Sequence, residues 1–495
     1  MNSALLIIFT TAVLALLLGL RARKGRDMNL EQWSVGGRSF GTVFVFLLMA
    51  GEIYTTFSFL GASGSAYGKG ASTYYTLAYQ LLAYTISYWL LPAIWRYAQR
   101  ERLLSQPQFF VHKYDSPALG ILVALVGVLA LVPYLMLQMK GLGLIVSLAS
   151  YGAISSTTAV WIGSAIVTAY VIASGVRGAA WNAVVKDVAI LAVVVFLGIY
   201  LPVHYYGSLS AMFSAIDNAK PGYLTFPEKG QSVIWFQSTV LLTSIGFFMW
   251  PHTFSSVYTA KSARIFRRNA AILPIYSILL LFVFFVGFAA ILRVPGLSGS
   301  DIDLALLKLS IQTFDPWFIG IIGAAGLLTA LVPGAMILTT ASTILANDVY
   351  RAGFRQQASD TTVKRLASFM VPVVALVAIT LTLNGGTTIV SLLLMGYNFV
   401  TQLFPAILCS FAQRNPINKY GAFCGISAGA VTVAAITLSK SSVGGFFPFL
   451  PQMLQDLNAG MLALLLNIVV AAIVSLLTKR AGNGVSTNVS REGGT

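Results

Sequence analysis

Apolar residues along this chain come in long, nearly unbroken runs, with polar and charged residues gathered in the gaps between them. Such runs are too long for buried strands, and each is long enough for a helix surrounded by hydrocarbon, which needs about 20 apolar residues. Thirteen candidate spans follow: 3–21, 42–66, 73–96, 118–148, 157–175, 180–203, 233–256, 270–294, 315–346, 365–384, 387–410, 418–438 and 457–478. The pattern predicts an all-α polytopic membrane protein. No remaining segment is long enough for a soluble domain.

Composition agrees with that reading. Of 495 residues, 57% are hydrophobic and 9% charged, whereas soluble chains carry about 25% charged residues. The net charge of +16 raises nucleic acid as a partner, but its distribution excludes that. Arg21, Arg23, Lys24 and Arg26 follow the first span, and Arg96, Arg100, Arg102 and Lys113 the third. Lys261, Arg264, Arg267 and Arg268 follow the seventh, and Arg351, Arg355, Lys364 and Arg365 the ninth. Basic residues in every second loop place those loops inside, the N-terminus outside and the C-terminus inside a bacterial inner membrane. The first span has no positive leader or small-residue cleavage site and reads as a retained helix. Cys409 and Cys424 read as reduced packing residues, and no spacing suggests a metal site or bound cofactor.

The second span contains Gly51 and Glu52 near its middle, and the seventh contains Gly246 with Pro251 and His252 below it. Two interrupted helices five spans apart fit a 5+5 inverted repeat, in which the solute site lies where corresponding helices break. Ala130-Leu131-Val132-Pro133 in span 4 recurs as Ala330-Leu331-Val332-Pro333 in span 9. The expected organisation is an accessory helix and loop (1–40), a first repeat (41–203) and a second repeat with its preceding outer loop (204–410). Two accessory spans (411–478) and a cytoplasmic tail (479–495) complete it.

A charged side chain within a bilayer costs at least about 2.5 kcal/mol and needs a partner or a use. Glu52 is the one acidic residue deep within a span; it can bind a cation, carry a proton or hold the broken backbone. Lys186 and Asp187 begin span 6, where an interfacial ion pair is the plainer reading. Thr55, Tyr134, Gln138, Trp250, Tyr397 and Asn398 join Glu52 as candidate solute contacts, an apolar-walled site with few polar groups. No metalloprotease motif, nucleophile elbow or phosphate loop is present, so neither an enzyme nor direct use of ATP is indicated.

Several stretches resemble the sodium:solute symporter family: EQWSVGGRSFG in the first loop and TILANDVY closing span 9. GEIYTTFSFLGASGSAYGKG, VPYLMLQMKGLG, SGVRGAAWNAVVKD, WPHTFSSVYTAKSARIFRRNAAILPIYS and YNFVTQLFP resemble its monocarboxylate permease branch. The resemblance implies a LeuT-type fold, alternating-access symport and lactate-, pyruvate- or alanine-like solutes. Branch members usually carry Asp where this chain has Glu52. In sodium-coupled members the ion is held by carbonyls that correspond here to Gly51, Tyr54 and Thr329, and by two hydroxyls. Those hydroxyls fall on Val332 and Pro333, and a nearby Asp falls on Ala183, with Lys186 one turn later. Sodium thus loses ligands, and the Lys186 ammonium is expected in its place, making H+ the coupling ion with Na+ as the alternative. A small two-span membrane protein sometimes accompanies the branch. The other readings are a sodium symporter for proline, pantothenate or a sugar-like solute, and a transporter-fold sensor; a channel is disfavoured by the absence of a repeated filter segment.

Overall fold

The computed structural model describes residues 2–22, 24 and 28–483. Arg23, Arg26 and the part of the expected tail beyond 483 lie outside the described residues. Among the described residues every regular element is helical, and the one β-type pairing is an isolated bridge between Phe40 and Ala260. Ten helices among the described residues are long and apolar enough to cross a membrane, or eleven if the bent pair Val233–Met249 and Pro251–Thr259 is one span. The expected thirteen differ from this for identifiable reasons. Residues 57–100 form one 44-residue stretch that would be about 66 Å long as a straight helix, twice a hydrocarbon core of about 30 Å. It turns instead at Gly70, whose φ of 57° and ψ of −130° suit glycine. Thr42–Gly51 and Ser156–Ala169 are apolar but shorter.

Spans 5 and 6 run together as Ser156–Tyr206, 51 residues broken only at Gly175 (φ 54°, ψ −145°). The break was expected over 176–180 and falls just before it. A Cβ at Gly175 would lie 2.4 Å from the Trp33 carbonyl oxygen, so position 175 requires glycine both for its φ and for the approach of the first loop. That loop is held from both sides. Asn29 caps helix Leu30–Val35, the Trp33 indole donates to Val171 O at 3.2 Å, and Arg177 donates to Gln32, Gly36 O and Ser39.

Span 9, Pro316–Thr343 continued by the π-helical Ile344–Arg351, is the central post: 94% of its apolar window is buried, against 28% for span 1. Glycine and alanine on its faces admit neighbours closely, as small residues do in hydrocarbon; Gly320 and Gly323 meet Ala4, Ile7 and Ile8 of span 1. The last two spans, Lys419–Leu438 and Ala459–Asn483, pack along each other, with Gly421 and Gly425 set against Ala471, Ser475 and Asn467. Cys409 and Cys424 are unpaired.

The second half of span 2, Ala62–Lys69, lies under a strap formed by the 3₁₀ turn Gly299–Leu304 and helix Ala305–Thr313. Gly64 lacks the Cβ that would collide with Ile302 O and Asp303 Cα. Asp303 is fully buried; it takes a 2.7 Å ion pair from Lys140 of span 4 and a 3.0 Å hydrogen bond from the Ile389 N–H that opens span 11. Lys140 also donates to Thr387 O at 2.8 Å, so one pair joins span 4, the strap and span 11. Burial raises the Asp303 pKa and Lys140 partly opposes it. Removing Lys140 leaves a buried uncompensated carboxylate, which costs about 3–5 kcal/mol. Lys140→Ala is therefore expected to lower thermal stability of the purified protein strongly at neutral pH. Because the folded-state pKa lies above the unfolded one, the folded state binds the proton more tightly, and the deficit shrinks as pH falls through the raised value. Lys140→Ala/Asp303→Asn should recover much of the loss; melting curves across pH check all three outcomes.

Candidate functional site

Span 2 stops being helical where the apolar run meets Gly51 and Glu52. Thr42–Gly51 ends, residues 52–55 are turn and bend, and a π-helical Phe57–Gly61 restarts the rod. A broken helix in hydrocarbon exposes carbonyls that must find other donors. Here four of them do. Met49 O takes the Tyr84 hydroxyl at 3.1 Å, Ile53 O takes the Ser58 hydroxyl, and Gly51 O and Tyr54 O take the Lys186 ammonium at 3.1 and 3.0 Å. Lys186 is fully buried, and Asp187 Oδ1 lies 2.8 Å from its Nζ. That carboxylate contact lacks hydrogen-bond alignment; it is an ion pair alone, and the two carbonyls are the ammonium's aligned acceptors. Gly51 carries no Cβ, and one built there would sit 3.4 Å from Nζ.

Span 7 breaks differently. Val233–Gly246 passes through a 3₁₀ turn, Phe247–Met249, to extended Trp250 (φ −63°, ψ 130°), and helix Pro251–Thr259 leaves at a 51° bend. Proline at the first helical position supplies the restart, since its missing N–H is not needed there. Met249 O is satisfied by Gln106 Nε2 at 2.7 Å. Gly246 lets Thr401 of span 11 approach to where a Cβ would stand.

The two breaks meet through one carboxylate. Glu52 Oε2 receives His252 Nε2 at 2.9 Å and the Tyr134 hydroxyl at 3.3 Å. An ionised carboxylate only accepts, so the shared hydrogen belongs to His252 Nε2. Glu52 thereby faces the start of helix Pro251–Thr259, where the backbone dipole favours negative charge. Aromatic rings enclose the group: Tyr134 lies 4.9 Å from Trp250 and meets His252 edge-on at 5.3 Å, Trp250 lies 5.2 Å from Tyr397, and Tyr397 lies 5.7 Å from Tyr79.

Between them is a cavity lined by Glu52, Phe57, Tyr79, Tyr134, Phe247, Trp250, Thr253, Leu393 and Tyr397, with about 10 Å³ of free space. That is room for about one water. Every lining side chain except Glu52 is buried, so the walls must separate before an organic solute enters.

The structure brings Glu52, Tyr134, Trp250 and Tyr397 together on this cavity. Thr55 is buried beside the break, and Gln138 is fully buried one turn from Tyr134, its amide without a partner; neither lines the cavity. Asn398 faces elsewhere, into a separate cavity of about 380 Å³ with Trp235, Asp456 and Asn458. Gly51, Tyr54 and Lys186 form one cluster. Thr329 does not join it: its carbonyl is not an acceptor for Lys186, and its hydroxyl donates to Gly326 O at 2.6 Å. His252, Thr253, Tyr79, Phe57, Phe247 and Leu393 were not among the expected solute contacts. His252 had a signal in its place directly after the proline that restarts span 7. Tyr79 had none, because an aromatic residue in a membrane span packs as often as it binds.

A helical membrane protein whose two interrupted spans close on a small polar-centred cavity belongs to the class of secondary solute transporters. The sequence pattern of the Sodium:solute symporter family matches residues 33–429. An uncharacterised symporter of Bacillus subtilis, YhjB, is 61% identical over 97% of this chain and 98% of its own length. The monocarboxylate transport permease protein of Rhizobium johnstonii is 27% identical over 96% of this chain and 97% of its own. In fold, the chain superimposes on a substrate-bound, outward-open Na+-coupled sialic acid symporter with a TM-score of 0.78, at 14% identity, covering 96% of this chain and 98% of the other. The chain belongs to the sodium:solute symporter family and is a multi-pass protein of the bacterial inner membrane.

His252→Ala would leave Glu52 without its imidazole partner and remove a contact between the two breaks. The expected loss is about 1–3 kcal/mol of stability, read as a lowered melting temperature. His252→Gln, whose amide can still donate to Oε2, should lose less.

Proposed function

We propose that this protein is a proton-coupled symporter for small monocarboxylates, with Lys186 as the coupling group. The observation that carries the reading is the buried Lys186 ammonium donating to Gly51 O and Tyr54 O, the carbonyls that the family resemblance implies for a sodium ion. A cation fixed to the protein by a side chain replaces a diffusible one, and the proton becomes what is exchanged. Protonated, Lys186 holds two carbonyls of the broken span and neutralises Asp187. Deprotonated, it donates more weakly and leaves Asp187 uncompensated in a poorly solvated place. The break then loosens, and the site opens to the other face. A carboxylate anion entering with one proton carries no net charge, so transport should be electroneutral.

Support for the solute class comes from the 27% identical monocarboxylate transport permease protein and from the small size of the aromatic-walled cavity. The test is uptake of labelled lactate into proteoliposomes. An inward proton gradient without sodium should drive accumulation, and a potassium diffusion potential alone should not. Lys186→Ala should abolish accumulation. Accumulation driven by a sodium gradient at fixed pH would overturn proton coupling in favour of sodium, and full pH-driven accumulation by Lys186→Ala would overturn the role of Lys186.

A further inference from the structure

Resting on the reading that a small monocarboxylate occupies the aromatic cavity, we infer that the solute must carry a hydrogen-bond donor on the carbon next to its carboxylate, received by Glu52 Oε1. The preferred solutes are therefore 2-hydroxy and 2-amino acids, and 2-oxo and unsubstituted acids are discriminated against.

The argument starts from the division of labour between the two carboxylate oxygens. Oε2 is occupied, taking both His252 Nε2 and the Tyr134 hydroxyl. Oε1 takes no hydrogen bond from any described residue and is not sealed in the protein, while the Glu52 side chain lines the cavity. Glu52 is the one charged side chain on that lining among the described residues. His252 and Tyr134 also fix its orientation, so Oε1 is held in place and is not free to turn towards another protein donor. A fixed, acceptor-only oxygen demands a donor from whatever fills the space beside it.

The other polar groups on the wall can all donate: the hydroxyls of Tyr79, Tyr397 and Thr253, which also accept, and the Trp250 indole N–H, which only donates. They suit the solute carboxylate, which itself only accepts. The cavity thus offers donors for the carboxylate and one acceptor for a neighbouring hydroxyl or amine. A 2-oxo acid would set its carbonyl oxygen against Oε1, lone pair to lone pair. An unsubstituted acid would leave Oε1 desolvated and unpaired. A site built to bond a substrate OH or NH rejects analogues lacking it far more strongly than it rejects a missing methylene.

The experiment uses the purified full chain and four probes of nearly equal size: L-lactate, L-alanine, pyruvate and propionate. Thermal stabilisation is measured against each, and inhibition of lactate counterflow in proteoliposomes provides a second ranking. Lactate and alanine are expected to act at concentrations about tenfold or more below pyruvate and propionate. In Glu52→Gln the amide presents a donor as well as an acceptor, and the preference for lactate over pyruvate should fall about tenfold. Where that variant does not fold, the wild-type ranking decides alone. Pyruvate or propionate matching lactate in the wild type would overturn this inference and leave the monocarboxylate reading standing. If none of the four binds, both readings fall together.

Discussion

Backbone polar groups have no solvent in a bilayer, and the architecture around residues 49–58 follows from that single constraint. Span 2 gives up helical hydrogen bonds so that its middle can face a cavity, and four carbonyls at the break are assigned to Tyr84, Ser58 and Lys186. Lys186 answers for two of them. Its burial would be prohibitive for an isolated charge; with Asp187 at 2.8 Å and two carbonyl acceptors, the charge and the broken backbone stabilise each other. Neither could occupy this position without its partner.

The second break is solved by sequence-local means, a proline restart and a glutamine donor to Met249 O. It needs no charge of its own. What joins the two is the contact of Glu52 with His252, which couples the ends of two half-helices from different repeats through one carboxylate oxygen. Motion of either half-helix is felt by the other through a bond that is short, buried and ringed by aromatic side chains. The two sets of contacts are separate in space: Lys186 lies on the span 6 side of span 2, and Tyr134 and His252 lie on the span 4 and span 7 side.

Much of this was legible in the residue order because membranes simplify the code. Long apolar runs announce helices, and a glycine beside a glutamate in mid-span announces a break that must be functional or costly. Lys186 was legible for the same reason, being a charge one turn from where the family carries an acid. The span count was less so, since 57–100 turns at Gly70 without leaving the apolar pattern. Asn398 and Thr329 show the limit of reading position from spacing. Span 11 tightens into a 3₁₀ turn at Thr401–Leu403, and Asn398 lies on the face of that helix that Gly460 of the last span approaches closely. Thr329 was expected near Lys186 because the family resemblance places its carbonyl among the ion-holding groups, but a counted position does not specify which donor reaches a carbonyl. Tyr79, Phe247 and Leu393 were invisible because their types are those of any packed span.

Gly175 gives the molecule a mechanical ratio. Lys186 stands eleven residues beyond that pivot on an uninterrupted helix, a lever arm of about 16 Å. A rotation of about 5° at one glycine sweeps the far end of that arm through about 1.4 Å, enough to part an ammonium from a carbonyl at hydrogen-bond distance. The pivot is itself clamped, by the Trp33 carbonyl against its bare Cα and by Arg177 two residues on. Torque on the first loop is therefore geared into displacement at the break in span 2, and a segment remote from the cavity has leverage over the bonds on which that break depends.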